Sequence, residues 1–403
     1  MSASVAYLAL RGLDLGTVAE QVTGGLFESF VAIAVPLFIF AARVMNSGSI
    51  TERLLTFCLV LVGHRRGGLA QVNIVQSVIF SGMSGSAVAD TAGMGYVTTE
   101  MMTKNGRYPA GFSCAVTISS SVIGPIIPPS IPMIFYALVS GTSLGALFLG
   151  GVVPGFLIAG FLMVTVAVIS NRRGYPTEPR IVGHERLRAF VQAIPPLLMP
   201  AILLGGIYTG VFTPTEAAAV AGFYALFLSG IVYRELGSEA LYRLFLETAR
   251  DTGVISMLIG SAFIFNFVVS IERVPFQLAA ALSGIDIPTW ALLLVVNVVF
   301  LILGCFLATS TIMLVCVPIV LPTVLAAGVD PIHFGVFIVV NMMIGLITPP
   351  YGVLVFIIAG LTKTPVGEVI SESWVFIATL VAALFVITYV PETVLWLPRL
   401  AGY

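Results

Sequence analysis

Gly124-Pro-Ile-Ile-Pro-Pro-Ser130 and Gly345-Leu-Ile-Thr-Pro-Pro-Tyr351 are two copies of one pattern, beginning 221 residues apart. Each lies in an interrupted apolar stretch, 115–139 and 334–361, and each leads into a short apolar half-helix, 131–139 and 353–359. Proline removes a backbone donor and clashes with the preceding turn, so a Pro-Pro pair breaks a helix. The break leaves carbonyls without partners at one half-helix end and N–H groups at the other. Carbonyls are hard ligands suited to Na+, and N–H groups at a positive dipole end suit a carboxylate. Each copy also follows a hydroxyl-rich interruption, Ser81-Gly-Met-Ser-Gly-Ser-Ala-Val-Ala-Asp90 in the first half and Leu307-Ala-Thr-Ser-Thr311 in the second. Breaks paired across two halves predict a secondary transporter with its site near the bilayer midplane.

The surrounding chain supports a membrane setting. It is 58% hydrophobic and only 9% charged, where soluble domains carry roughly 25% charged residues. A net charge of −1 argues against a nucleic-acid partner held by phosphate contacts. Runs able to cross ~30 Å of hydrocarbon fall at 26–45, 147–170, 189–208, 217–233, 254–271, 289–306 and 374–390. Broken runs at 69–97, 115–139, 309–327 and 334–361 bring the total to about 10–12 membrane elements. No cleavable leader is expected, because Arg11, Asp14 and Glu20 interrupt the first twenty residues.

Basic residues gather in short loops: Arg65 and Arg66, Lys104 and Arg107, Arg172 and Arg173 through Arg188, and Arg234 with Arg243. The positive-inside rule makes these loops cytoplasmic. Segment 67–105 then begins and ends on one side, which predicts a re-entrant helical hairpin with 81–90 as its polar middle. Non-helical backbone survives at that depth only under protein or beside a water-filled cavity. Segment 239–250 is amphipathic, with Leu241, Leu244, Phe245 and Thr248 on one face. It fits a helix lying flat on the cytoplasmic surface and equally a connecting helix.

Single residues refine this picture. A carboxylate at mid-bilayer is unfavourable by about 2.5–3.5 kcal/mol on insertion scales, so Asp90 must pair, bind a cation, cap the hairpin tip or titrate. A tip role supporting a cation site is expected over substrate contact, since Asp90 would repel an anion. Thr213-Pro-Thr-Glu216 reads as a capping box. Glu28 and Arg43 sit at opposite ends of the first long apolar run and are expected to reach the interfaces. Gly150, Gly155 and Gly160 are expected to permit close helix packing. Cys58, Cys114, Cys305 and Cys316 sit singly in apolar runs and read as small buried hydrophobes, not zinc or haem ligands. Gly82-Met-Ser-Gly85 matches a short motif of intramembrane serine proteases, an alternative that requires His64, His184 or His333 within hydrogen-bond reach as a base.

Ile33-Ala-Val-Pro-Leu-Phe-Ile39, Leu61-Val-Gly-His64, Arg66-Gly-Gly-Leu-Ala70 and the stretches 81–95, 123–132, 212–219 and 341–352 together resemble one family. It is the large membrane subunit of tripartite ATP-independent periplasmic (TRAP) transporters. The resemblance implies an all-α polytopic fold of two inverted repeats, approximately 24–172 and 189–400, joined by a cytoplasmic loop at 172–188 within a single domain over 1–403. Each repeat would hold a re-entrant hairpin and a broken transmembrane helix, and a transport domain would slide against a scaffold as an elevator. The family imports C4-dicarboxylates, sialic acids or related carboxylates across the bacterial inner membrane, driven by Na+ and without an organic cofactor. A periplasmic binding protein delivers the substrate, and a small four-helix membrane subunit completes the scaffold.

Carried onto this chain, the first Na+ site would use Ser84 and Ser86 with Gly124, Ile127 and Pro128, supported by Asp90. The second would use Gly304 and Thr309 with Gly345, Thr348 and Pro349. Substrate would lie between the tips, within reach of Ser84, Ser86, Thr309 and Ser310. The chain departs from the family pattern in three places. Only about twenty weakly apolar residues precede Ile33 where relatives have another hydrophobic helix, so the expectation is a misplaced or truncated start. Ala42-Arg43 replaces a usual Gly-Glu, and an acidic residue common in relatives near Ala308 is absent. A stand-alone Na+- or H+-coupled carboxylate carrier of the same fold is the alternative function.

Overall fold

A computed structural model of the chain describes residues 1–12, 14, 16–27, 30–45, 49–277 and 287–403. Glu28, expected at an interface, lies outside them. The described residues form helices and connecting turns, with no strand among them. Seven of their helices are long and apolar enough to cross a membrane.

Helices α1 (Ser2–Leu10), α2 (Gly16–Phe27), α3 (Phe30–Met45) and α4 (Ser49–Val62) precede the first hairpin. Its rising arm is α5 (Gly68–Ser84). The returning arm runs through α6 (Ala87–Asp90), a π-helical turn (Thr91–Gly95) and α7 (Tyr96–Thr103). The arms lie side by side, with Thr98 Oγ1 donating to Gln76 Oε1 at 2.8 Å. Both ends of the hairpin are fastened to one loop. Gly68 N and Tyr108 Oη donate to Pro176 O at 3.4 and 3.2 Å, and Arg107 pairs with Glu178 at 2.5 Å. The segment therefore enters and leaves on the same, basic side, as the charge pattern predicts. Nearly all of α5 is buried, which is the cover that such a tip requires.

The first broken helix is α8 (Ala110–Ser121) and α9 (Ile131–Ser140), followed by α10 (Leu144–Arg173). Next come α11 (His184–Tyr208), α12 (Pro214–Leu226) and α13 (Ser238–Ile271). The second hairpin is α14 (Thr289–Phe306), α15 (Thr309–Thr311), a π turn (Ile312–Cys316) and α16 (Val317–Ala326). Its ends are tied by Thr289 Oγ1 donating to Ala327 O at 3.4 Å. The second broken helix is α17 (Pro331–Gly345) and α18 (Val353–Thr362), and α19 (Val366–Tyr389) and α20 (Glu392–Leu400) close the chain.

The two broken helices run antiparallel. Near the start of α8, Cys114 Sγ lies 3.4 Å from Thr362 Oγ1 at the end of α18. On α9, Tyr136 Oη donates at 2.7 Å to Pro331 O at the start of α17. The hairpins are thus anchored at opposite ends of the bundle, and the repeat is an inverted one.

Local signals place the helix ends. Thr213 and Glu216 form the reciprocal capping box at the start of α12. Asp330 accepts from Ile332 N and His333 N at the start of α17, with proline at its first position. Two expectations change. Segment 239–250 is neither a flat surface helix nor a separate connector; it forms the first turns of the unbroken 34-residue α13. Of the three small residues on α10, Gly150 and Gly155 pack closely, whereas a methyl at Gly160 would meet nothing within 4 Å. The four cysteines are free, and three of them are buried.

Candidate functional site

At the first tip α5 ends at Ser84, and Gly85 turns the chain with a φ of 58°. Ser86 then caps α6, its Oγ accepting from Ala89 N at 3.3 Å. A methyl at Gly85 would sit 2.5 Å from Pro129 O, and one at Gly124 would sit 3.5 Å from the Ser86 carbonyl. At position 85 only glycine permits both the left-handed turn and the approach to Pro129. Ser84, Ser86, Gly124 and Pro128 are thereby brought to one place. Helix α10 closes the break from behind, where methyls at Gly151 and Gly155 would lie 2.2 Å from Ile126 O and from Ile127 Cγ1.

The second repeat does the same with a backbone contact of similar closeness. A methyl at Gly345 would fall 2.6 Å from the Gly304 carbonyl carbon. Thr348 lies one turn on, its Oγ1 donating to Ile344 O at 2.7 Å and its N–H to Gly345 O at 3.1 Å. Gly304, Gly345, Thr348 and Pro349 therefore share one junction. Both Pro-Pro pairs are cis.

A cavity of about 300 Å3 lies between the tips. Ser86, Thr309 and Ser310 line it together. Ser84 is buried and opens instead on an adjoining vestibule of about 580 Å3, whose wall also includes Ser86, Val88 and Ile131. Four half-helices begin at the smaller cavity: α6, α9, α15 and α18 contribute Ala87, Ile131, Thr309 and Val353 to its lining. Helix N-termini carry partial positive charge and free N–H groups, which favour an anion. The first repeat caps its own termini, with Ser86 accepting from Ala89 N and Ser130 from Met133 N. In the second, neither Ala308 nor Gly352 makes a side-chain cap; at α18 Leu354 N and Val355 N donate to Leu346 O and Gly352 O, so the N–H groups left for a ligand are those at the start of α15.

Asp90 is not part of either lining. It is buried one turn beyond the tip, facing Ser77 on α5 and Ser121 at the end of α8. Those hydroxyls donate elsewhere: Ser77 to Ser120 Oγ at 3.1 Å and Ser121 to Thr117 O at 2.8 Å. Neither carboxylate oxygen of Asp90 has a hydrogen-bond partner, and the buried hydroxyls of Ser84, Thr91 and Ser119 also lack one. A buried charge needs a counter-charge or donors, and the bare carboxylate oxygens of Asp90 are the chemistry a small cation satisfies.

Sequence reasoning missed two polar clamps. Ser120 Oγ donates to Asn73 Oδ1 at 3.0 Å, and Asn73 Nδ2 donates to Thr117 Oγ1 at 2.7 Å. In the other repeat, Asn341 Nδ2 donates to Asn297 Oδ1 at 2.8 Å, and Asn297 Nδ2 to Thr388 Oγ1 at 3.1 Å. Each clamp ties a rising arm to the helix just before its break. Ser120 and Asn341 stand 221 residues apart, the offset of the Pro-Pro motifs, so the signal was present in the sequence.

Arg43 stands in the last turn of α3, partly exposed. It lines the vestibule, bonded to Glu247 and Asp251 on α13. His333 is buried near the anchored end of the second hairpin, with its Nε2 on Ile387 O at 3.0 Å, and His64 and His184 are exposed in loops. No histidine therefore serves Ser84 as a base.

With this geometry in hand, comparisons give the lineage. A family model described as the tripartite ATP-independent periplasmic transporter, DctM component, matches residues 1–393. The sialic acid TRAP transporter large permease protein SiaM of Vibrio cholerae is 38% identical over 402 residues, covering 99% of this chain and 94% of that protein. The C4-dicarboxylate TRAP transporter large permease protein DctM of Pseudomonas aeruginosa is 38% identical over 375 residues, covering 93% and 88%. Among solved structures, the Alcanivorax borkumensis YdaH transporter superposes with a TM-score of 0.69 at 16% identity, covering 95% of this chain and 88% of that one. That likeness concerns the fold alone.

Proposed function

We propose that this chain, which belongs to the DctM component family of tripartite ATP-independent periplasmic transporters, couples Na+ entry to uptake of a small organic acid. A periplasmic binding protein delivers the acid, and a small four-helix membrane subunit completes the scaffold. The chain itself is a multi-pass inner-membrane permease and not an enzyme.

The observation that carries the proposal is the convergence of four half-helix N-termini on one cavity between two inverted hairpin tips. The open N–H groups of the second tip suit a carboxylate, and the bare carboxylate oxygens of Asp90 suit Na+. Each Na+ moving down 100 mV supplies about 2.3 kcal/mol before any concentration term. Helices α12 and α13, which both pack on α3, would form the fixed part with it. The hairpins and broken helices would move past it as an elevator.

Uptake into proteoliposomes under an imposed Na+ gradient tests this, with the small subunit and binding protein each added or omitted. Transport requiring Na+ and both partners is the expected result. Transport by this chain alone would make it a self-sufficient carrier, and transport indifferent to Na+ would remove the coupling.

A further inference from the structure

Pro318 leaves the second hairpin with a backbone carbonyl to satisfy. In a regular α-helix Leu314 O accepts from the N–H four residues on, and residue 318 is a proline, which has none. Leu314 is buried in the π turn Ile312–Cys316, inside a membrane segment where an unmatched carbonyl is unfavourable. The donor comes from another element. Asn266 Nδ2, on α13, donates to Leu314 O at 2.9 Å. Among the described residues this is the one side-chain hydrogen bond from α13 to the second hairpin. The first hairpin serves its own π turn, with Thr98 and Thr99 on the same arm donating to Met94 O at 3.1 Å and Gly95 O at 2.8 Å. Asn266 Oδ1 is buried without a partner, so an amide there is unfavourable apart from its Nδ2 bond. A leucine would cover similar space with no unmet atom.

We propose that Asn266 is a positioning residue, a latch by which the fixed part holds the second hairpin in the inward-open position, and that its bond to Leu314 O breaks on each crossing. The inference rests on the elevator reading. Helix α13 packs along α2 and α3 and meets the second hairpin at the π turn and α15, so the bond joins a fixed element to a moving one. The vestibule beside them is walled by Arg43 in the last turn of α3 and by Glu247 and Asp251 in the first turns of α13. Arg234 and Arg243 mark that end as cytoplasmic, so the position observed is the inward-open one. An interaction made in one position and lost in the other biases the equilibrium towards the first. The latch acts two residues beyond Ile312, where the π turn takes over from α15 and the tip, so it also fixes where Thr309 and Ser310 stand.

The test is labelling of Ala308→Cys, an exposed position at the second tip, by a membrane-impermeant maleimide. The full chain, with its four native cysteines replaced by alanine, is expressed with the small membrane subunit. Right-side-out and inverted membrane vesicles give the periplasmic and cytoplasmic labelling rates, in Na+ and in K+. Asn266→Leu should lower the ratio of cytoplasmic to periplasmic labelling by roughly threefold, the scale of one side-chain hydrogen bond between membrane helices. Pro318→Ala returns an internal N–H to Leu314 O and should lower the ratio in the same direction. Adding Asn266→Leu to Pro318→Ala should then change little, since both remove one bond. A purely packing role for Asn266 predicts additive effects instead, and additivity overturns the latch. So does an unchanged ratio in Asn266→Leu, or, where that variant does not fold, in Pro318→Ala. Labelling of the parent from one side only, in Na+ and K+ alike, removes the elevator motion itself, and the latch falls with it.

Discussion

Gly345→Ala probes the junction on which the second hairpin depends. The new methyl would sit 2.6 Å from the Gly304 carbonyl carbon, 2.7 Å from its Cα and 2.9 Å from its oxygen. All three are backbone atoms, so no rotamer change relieves the contact. Ordinary van der Waals contact begins near 3.4 Å, so the arm must retreat by about 0.8 Å from the break. Overpacking of this kind typically destabilises by about 1–3 kcal/mol. The retreat also parts Gly304 from Thr348, the groups assigned to the second Na+ site. A tenfold rise in the Na+ concentration for half-maximal uptake corresponds to about 1.4 kcal/mol, and at least that is expected. Two substitutions calibrate the effect. A methyl at Gly304 comes no closer than 3.3 Å to Gly345 Cα, and one at Gly360 meets nothing within 4 Å. Gly304→Ala should be mild, and Gly360→Ala, inside α18, should stabilise by roughly 0.5–1 kcal/mol. Thermal unfolding and Na+ titration of uptake in proteoliposomes measure both effects. Gly345→Ala with wild-type Na+ dependence would refute the assignment, and one with unchanged unfolding as well would refute the contact.

Other substitutions separate the remaining elements. Asp90→Asn should raise stability without Na+ by about 1–3 kcal/mol by removing a buried, unpartnered charge, while shrinking the stabilisation that Na+ adds; an intact Na+ response takes Asp90 out of the ion machinery. Asn297→Ala should destabilise by about 1–3 kcal/mol, because Asn341 loses a buried acceptor, and equal unfolding midpoints would sink the clamp. Thr213→Ala removes the capping box of α12 and should destabilise by about 1 kcal/mol without moving the Na+ dependence of uptake; a shift there would tie α12 to the site. Ala308→Ser should cap the second tip, stabilising by about 0.5–1 kcal/mol while weakening carboxylate binding by competition, and tighter binding would place the carboxylate elsewhere.

What the sequence disclosed depended on how local each signal was. The Pro-Pro breaks are written in adjacent residues, and so is the capping box at Thr213. The first hairpin was legible because Arg65, Arg66, Lys104 and Arg107 mark both its ends with the same sign, and the structure ties those ends to a single loop. Segment 239–250 was ambiguous for a physical reason: amphipathy states which face is apolar and says nothing about whether the helix continues. With only Gly253 before the apolar run beyond it, α13 does continue. The contacts of Arg43 with Glu247 and Asp251 span more than 200 residues, and no periodicity reaches across that distance. The clamps hid for another reason. Serine in one repeat does the work of asparagine in the other, so a search for identical residues passes over Ser120 and Asn341.

The two repeats share a backbone plan and divide the polar work. The first tip satisfies its own N–H groups through Ser86 and Ser130, and it buries the carboxylate of Asp90. The second leaves its helix starts uncapped at Ala308 and Gly352, and Thr311, which precedes its π turn as Asp90 precedes the first, carries no charge. On the proposed reading, an anion belongs to the second tip and a cation to the first. Because no charged side chain among the described residues lines the cavity between them, the anion has no full counter-charge from the protein. A carboxylate there draws on helix termini of roughly half a charge each, and the bare oxygens near Asp90 gain little without a cation. Each ion therefore makes the other's burial less unfavourable. That mutual dependence, built from the asymmetry of an otherwise inverted pair, is a physical basis for carrying Na+ and acid together.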